Sequence, residues 1–329
     1  MKPILQLSGL KKHFPIRQGL FSKTTGWVHA VDGVDLIVNK GETCSLVGES
    51  GCGKTTVAKT LMRLHPATAG QAIYDGLDVF NLGTGELKEL WKRMQIIFQD
   101  PYSSLNPRMT VEKIISQSLK NFHQISKSQR RDVAAEIITK VGLQPEHLKR
   151  YPHEFSGGQR QRIGIARALI GRIITDHPRM IVCDEPVSAL DVSIQAQIIN
   201  LLKQLQREFG LTILFISHDL SVVEHISSQV AVMYLGKIVE SGEKNELFTK
   251  AAHPYTKALL SAIPQPEPPE PGTKVQNFIL KGDVPSPINP PKGCYFHPRC
   301  PERFDLCDKQ SPKLKSVTDN HKVACHLLN

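Results

Sequence analysis

Residues 48–55, Gly48-Glu49-Ser50-Gly51-Cys52-Gly53-Lys54-Thr55, leave this chain little choice of architecture. They fit the pattern G-x-x-x-x-G-K-[ST], preceded by the apolar, strand-like Cys44-Ser45-Leu46-Val47 and followed by the helix-like Val57-Ala58-Lys59-Thr60-Leu61-Met62. Glycines at such spacing let the backbone curl until successive N–H groups and the N-terminus of the next helix face one anion. In that geometry Gly48, Ser50, Gly51, Cys52, Gly53 and Thr56 line a phosphate cradle, Lys54 reaches the outer phosphates and Thr55 offers its hydroxyl to Mg²⁺. A strand feeding a phosphate loop and a helix is an α/β unit.

The rest of the chain agrees with that class. From Leu5 to about Ile263 short β-rich runs alternate with longer amphipathic stretches, and Met180-Ile181-Val182-Cys183 and Leu211-Thr212-Ile213-Leu214-Phe215-Ile216 read as further buried strands. Residues 125–150 carry helical spacing. With 329 residues, 40% hydrophobic and 22% charged, the chain has a sizeable core and no apolar run long enough to span a bilayer. The N-terminus lacks the apolar segment of an export signal, so the cytoplasm is the expected compartment. The net charge of +10 suits nucleic acid, an anionic membrane surface or a phosphate-rich ligand, and does not choose among them.

Two further segments carry chemistry. The strand Met180–Cys183 delivers Asp184 and Glu185 to its C-terminal end, the edge where open α/β sheets place their ligands. Asp184 is placed to position Mg²⁺ and Glu185 to take a proton from an attacking water. Upstream, Tyr151-Pro152-His153-Glu154-Phe155-Ser156-Gly157-Gly158-Gln159 reads as a second helix N-terminus capped by Ser156, hence a second anion receptor, open to this chain's ligand or to a partner's.

Phe155-Ser156-Gly157-Gly158-Gln159, just ahead of the acidic strand end, resembles the signature of ABC-transporter ATPases, and the other motifs of that family follow in order. Gln99, in Ile96-Ile97-Phe98-Gln99-Asp100-Pro101, is similar to the Q-loop glutamine, a link between metal, water and transmembrane subunits. Ser188-Ala189-Leu190-Asp191 is similar to the D-loop, and His218 to the switch histidine that meets the outermost phosphate. Phe14 resembles the aromatic that stacks on adenine, with Trp27 as its competitor. The resemblance implies a P-loop ABC-type ATP-binding domain over residues 1–263, with a helical subdomain at about 100–165.

Within that family, residues 100–108, 150–155, 253–260 and 282–300 resemble the oligopeptide/dipeptide/nickel importer ATPases. The group's known organisation implies ATP and Mg²⁺ as ligands and a sister ATPase whose signature closes over this chain's ATP. It also implies two membrane permeases, an extracytoplasmic solute-binding protein, and a peripheral position on the cytoplasmic face of the bacterial inner membrane. Nucleic acid is not expected as a partner: a soluble nucleic-acid-associated ABC ATPase usually carries two cassettes or a long coiled coil, and this chain has neither.

After residue 263 the composition changes. Residues 264–272 hold five prolines and read as a stiff linker, and 273–329 as a small C-terminal extension. Cys294, Cys300, Cys307 and Cys325, spaced C-x5-C-x6-C-x17-C, offer four thiolates to a [4Fe–4S] cluster or to Zn²⁺, or stand as ordinary thiols. The absent C-x2–4-C pair and the resemblance favour the cluster. The linker predicts an extension separate in contact as well as in sequence.

Overall fold

The computed structural model describes residues 2–19, 22–122, 125–263, 280 and 282–328, so the linker reading at 264–272 lies outside the described residues. Along the chain come β1 (Pro3–Gln18), β2 (Lys23–Asn39), β3 (Thr43–Val47), α1 (Lys54–Leu61), β4 (Ala69–Tyr74), β5 (Leu77–Asp78), α2 (Thr84–Arg93) and β6 (Met94–Ile97). Then follow α3 (Pro101–Ser104), α4 (Val111–Ile115), α5 (Gln117–Phe122), α6 (Lys127–Lys140), α7 (Gly157–Leu169), β7 (Met180–Asp184), α8 (Val192–Phe209) and β8 (Thr212–Ser217). The chain closes with α9 (Leu220–Ile226), β9 (Gln229–Tyr234), β10 (Lys237–Glu243), α10 (Lys244–Thr249), α11 (Pro254–Ser261), β11 (Lys315–Thr318) and β12 (His321–Val323). This is the α/β class that the phosphate loop predicts, and the three runs read as buried strands lie in β3, β7 and β8.

The chain divides into two compact units: Met1–Ile4, Val38–Thr43 and Leu77–Ile216 form one, and Leu5–Ile37, Cys44–Gly76 and Ser217–Asn329 the other. In the first, β6, β7 and β8 run parallel, with Met94 opposite Met180 and Met180 opposite Thr212. Every residue of β7 is buried, which explains its unbroken apolar sequence: both faces are covered, so no polar alternation survives. Between α3 and α7 the described residues are helical or irregular. Within 125–150, α6 is followed by a 3-10 turn at Pro145–Lys149.

In the second unit β1 pairs antiparallel with β4, Leu5 opposite Tyr74, and β2 flanks β1 on the other side. A second sheet begins with β3 parallel to β9, Cys44 opposite Gln229 and Val47 opposite Val232. It continues antiparallel through β10 to β12 and β11.

Those last two strands correct the expectation of a separate extension. Glu240 of β10 stands opposite Val323 of β12, and the His321 ring lies 2.7 Å from the Glu240 carboxylate, both side chains buried. Phe296 is 1% exposed among Tyr234, Tyr255 and His253, at ring separations of 5.2, 5.4 and 5.6 Å. A segment this short cannot bury its own apolar groups, so it completes a core supplied by β9, β10 and α11.

Candidate functional site

The phosphate loop belongs to the second unit. Gly48 and Gly53 have φ of +150° and +109°, and a Cβ on either would stand 2.1 Å from a carbonyl oxygen, that of Met233 or of Ala30. No other residue type fits either position, which fixes the curl of the loop between them. Gly53 also caps α1, whose first N–H groups have no partner inside the helix. Lys54 is 4% exposed, and its Nζ donates to Gly48 O at 2.7 Å and Glu49 O at 2.9 Å. The ammonium therefore sits inside the cradle, held by neutral carbonyls that a charged phosphate would displace. Cys52 is buried, which pushes its thiol above the ordinary value despite Lys54 nearby.

The acidic pair belongs to the first unit. Asp184 ends β7 at 2% exposure. Glu185 follows in a left-handed backbone, φ +47°, held by its N–H donating to Ile216 O at 3.0 Å. For a residue with a Cβ this conformation costs about 1–3 kcal/mol and is kept where the surroundings enforce it. It turns the carboxylate toward Gln99, whose Nε2 donates to Glu185 Oε2 at 2.9 Å. Residues 86 positions apart thus meet at the C-terminal edge of parallel strands.

In the same unit Ser156 caps α7 reciprocally: its Oγ accepts from the Gln159 N–H, and Gln159 Oε1 accepts from the Ser156 N–H. Gly157 and Gly158 form the first turn. Asp191 is exposed ahead of α8, its carbonyl accepting from Ile194 N.

In the second unit His218 is exposed directly after β8, beside Asp219, which caps α9. Phe14 is half-buried, edge-on to His65 at 5.4 Å with Lys12 Nζ 4.6 Å from its centroid, whereas Trp27 is 46% exposed. Sequence reasoning missed two residues at the loop. Arg299 donates to Glu49 through Nη1 to Oε2 at 2.7 Å and Nη2 to Oε1 at 3.1 Å, and the Glu49 N–H donates to the Tyr255 hydroxyl at 2.9 Å. No spacing rule links positions 250 apart.

The four C-terminal cysteines are not drawn into a ligand set. Among the described residues no three of their sulfurs lie within 4.8 Å of one another. Tetrahedral zinc, with Zn–S near 2.3 Å, needs sulfurs about 3.8 Å apart, so the zinc expectation is not met, and the iron–sulfur expectation finds no preformed ligand cluster. Burial raises the thiols of Cys294, Cys300 and Cys325, that of Cys300 to about 11, and neighbouring cysteines push each further up. Elsewhere His13, His29 and Asp32 bring possible ligand atoms within 4.8 Å, but Lys11 and Lys237 lie 3.7 and 3.9 Å from the Asp32 carboxylate and already balance its charge.

Comparison with known proteins agrees with this geometry. The ABC transporter family matches residues 31–188, and the oligopeptide/dipeptide transporter C-terminal region matches 239–307. The chain is 53% identical to the oligopeptide transport ATP-binding protein AppF of Bacillus subtilis, over 98% of this chain and 97% of that protein. It is 50% identical to OppF of Salmonella typhimurium, described in the same terms, over 98% and 96%. Among solved structures, the dimeric post-hydrolysis ATP-binding cassette MJ0796 bound to ADP and Pi superposes with a TM-score of 0.64 at 27% identity, covering 73% of this chain and 98% of that one. CbiO1 of Clostridium perfringens, part of the transporter complex CbiONQ, superposes at 0.63 with 25% identity, over 76% and 92%. A phosphate loop, an acidic strand end joined to Gln99 and a capped signature helix, in a chain half identical to these relatives along its length, make this protein a member of the ATP-hydrolysing ABC transporter ATP-binding proteins, in their oligopeptide/dipeptide branch.

Proposed function

We propose that this chain is the ATP-hydrolysing subunit that powers import of di- or oligopeptides through an ABC transporter of the bacterial inner membrane. The observation that carries the reading is the loop bounded by Gly48 and Gly53, with Lys54 folded into it, in a chain half identical to oligopeptide transport ATP-binding proteins.

In this reading ATP phosphates enter the cradle of Gly48, Ser50, Gly51, Cys52, Gly53, Thr55 and Thr56, and Lys54 exchanges its two carbonyl partners for phosphate oxygens. Thr55, Asp184 and Gln99 supply the oxygens for Mg²⁺, which screens phosphate charge when bound. Glu185 takes the proton of the attacking water, and the Gln99 amide holds its carboxylate in the required direction. His218 meets the outermost phosphate, and Phe14 or Trp27 packs on the adenine. Ser156, Gly157, Gly158 and Gln159 present the N-terminus of α7 to the nucleotide of a sister ATPase, with Asp191 beside it.

Two permeases and an extracytoplasmic binding protein complete the transporter. Among the described residues no helix is long and apolar enough to cross a membrane, so attachment to the bilayer falls to those permeases. Residues 1–263 serve as the ATPase and 273–329 as the branch-specific extension. The [4Fe–4S] ligation by Cys294, Cys300, Cys307 and Cys325 belongs to this proposal, and its support is the crowding of four cysteines into residues 294–325 together with the resemblance of residues 282–300 to that importer group. A four-iron cube also sets its thiolates farther apart than one zinc ion does. Four irons per chain after anaerobic purification support it, and their absence removes it.

The transport reading is tested by uptake of a radiolabelled dipeptide or tripeptide into cells carrying only a Glu185→Gln copy. Loss of uptake supports it. Unchanged uptake overturns it.

A further inference from the structure

We infer that Arg299 is a positioning residue of the phosphate loop, through which the C-terminal extension sets the affinity of the cassette for nucleotide. The inference rests on the reading of residues 48–55 as the ATP phosphate cradle.

Arg299 ends a 3-10 turn, His297–Arg299, fixed at both ends. Cys294 O accepts from the His297 N–H at 3.0 Å, and Phe296 O accepts from the Arg299 N–H at 3.0 Å. Phe296 is locked among Tyr234, Tyr255 and His253, so the turn has a defined place on β9 and α11. From there the guanidinium meets Glu49 in a two-pronged pair with the Arg299 side chain only 7% exposed. Its carbon lies 5.9 Å from the Tyr234 ring centroid. With the Glu49 side chain 28% exposed the fork is half-buried, less open to water than a surface ion pair, and the planar geometry fixes direction as well as distance.

Glu49 is the second residue of the loop, and all three of its polar groups are engaged. Its carboxylate takes Arg299, its N–H donates to Tyr255 and its carbonyl accepts from Lys54. When Lys54 leaves that carbonyl for a phosphate, the other two contacts keep the backbone of Glu49 where it is. The loop is thereby held ready for the anion without the ordering cost of a free loop. A contact that only fastened the extension down would touch any part of the cassette; this one ends on the cradle.

The extension has a second anchor whose partners, Asp32 and Lys237, lie outside residues 48–55, which separates positioning from fastening. The Tyr295 hydroxyl donates to Asp32 Oδ2 at 2.7 Å, and Lys237 Nζ lies 4.1 Å from the Tyr295 ring centroid. Equilibrium binding of a fluorescent ATP analogue to the full-length chain tests the inference. Arg299→Ala and Glu49→Ala each weaken binding about tenfold, within the usual range of coupling between sites. The double variant is no weaker than either single one, because both remove the same contact. Arg299→Lys recovers part of the loss, since it restores charge without the fork. Tyr295→Phe lowers the melting temperature but leaves affinity unchanged. If Arg299→Ala does not fold, Tyr255→Phe, which removes only the acceptor of the Glu49 N–H, weakens binding in its place. Wild-type affinity in Arg299→Ala, additive losses in the double variant, or an equal loss in Tyr295→Phe would each overturn the inference. Lys54→Ala keeps the two readings apart: if it binds the analogue normally, the cradle assignment itself fails.

Discussion

Gln99 donates a 2.9 Å hydrogen bond to the carboxylate of Glu185, a residue whose own backbone sits at φ +47°. The pair couples a side chain arriving after β6 to one leaving β7, so the direction of the carboxylate is set by two adjacent strands rather than by rotamer preference alone. Replacing Glu185 by Gln keeps the shape and removes the base. We expect ATP turnover in the assembled transporter to fall by about 10²–10⁴ while binding of an ATP analogue is retained. Turnover near the unmutated rate would remove Glu185 from the role of base.

Gln99→Ala leaves Glu185 ionisable but unguided. Turnover should drop by about tenfold, less than for Glu185→Gln, because misorientation of a base costs less than its absence. Steady-state hydrolysis at saturating ATP checks the order of the two variants, and a Gln99→Ala enzyme as slow as Glu185→Gln would mean that loss of the Mg²⁺ oxygen, rather than of the orienting amide, dominates.

Lys54→Ala acts earlier. The buried ammonium is the cationic group seated in the cradle, and its charge compensates bound phosphate before any chemistry. Affinity for the ATP analogue should fall at least tenfold, alongside the loss of turnover. Titration by fluorescence distinguishes this from Glu185→Gln, where affinity is kept.

His253 gives the fold a pH dependence of known sign. It is 1% exposed and caps α11, its Nδ1 accepting from the Tyr255 N–H at 3.1 Å, and burial lowers its pKa from 6.5 to about 3, with Lys257 adding to the shift. Between those values the unfolded chain binds a proton that the folded chain refuses, so stability is complete above about pH 6.5 and is lost as pH falls toward 3. The slope is about 1.4 kcal/mol per pH unit from this group. His253→Asn keeps a side-chain acceptor at the cap and removes the titration. Chemical denaturation from pH 7 to 5 should show a shallower decline in the variant; parallel declines would mean that other groups dominate.

How much could be read from sequence follows from how local each feature is. The phosphate loop was legible because its strand, glycines and helix are contiguous, and the same holds for Asp184 and Glu185 at the end of an apolar run. The Gln99 to Glu185 contact spans 86 positions and was not foreseen: the order of family motifs singled out Gln99 only as a link between metal, water and transmembrane subunits. Arg299 on Glu49 left no mark in the pattern, since neither residue type nor spacing announces a partner 250 positions away. The cysteines were read as ligands of a [4Fe–4S] cluster with zinc as the alternative, and the zinc alternative is not met because spacing counts ligands without fixing where their sulfurs come to lie. The proline run misled in another way: stiffness says how a segment travels, not where it lands.

Where it lands has a consequence for anyone shortening this protein. Cutting at residue 263 looks natural from the sequence, yet it would strip β12 and β11 from the flank of β10. The row of N–H and C=O groups at Glu240, Ser241 and Gly242, now matched by Val323, Lys322 and His321, would become an open edge of the kind that recruits strands from other molecules. The removed piece would also take Phe296 out of its aromatic cage. A shortened chain would therefore be expected to aggregate while still carrying every ATPase motif intact, and failure to obtain it in soluble form would say nothing against the catalytic assignment.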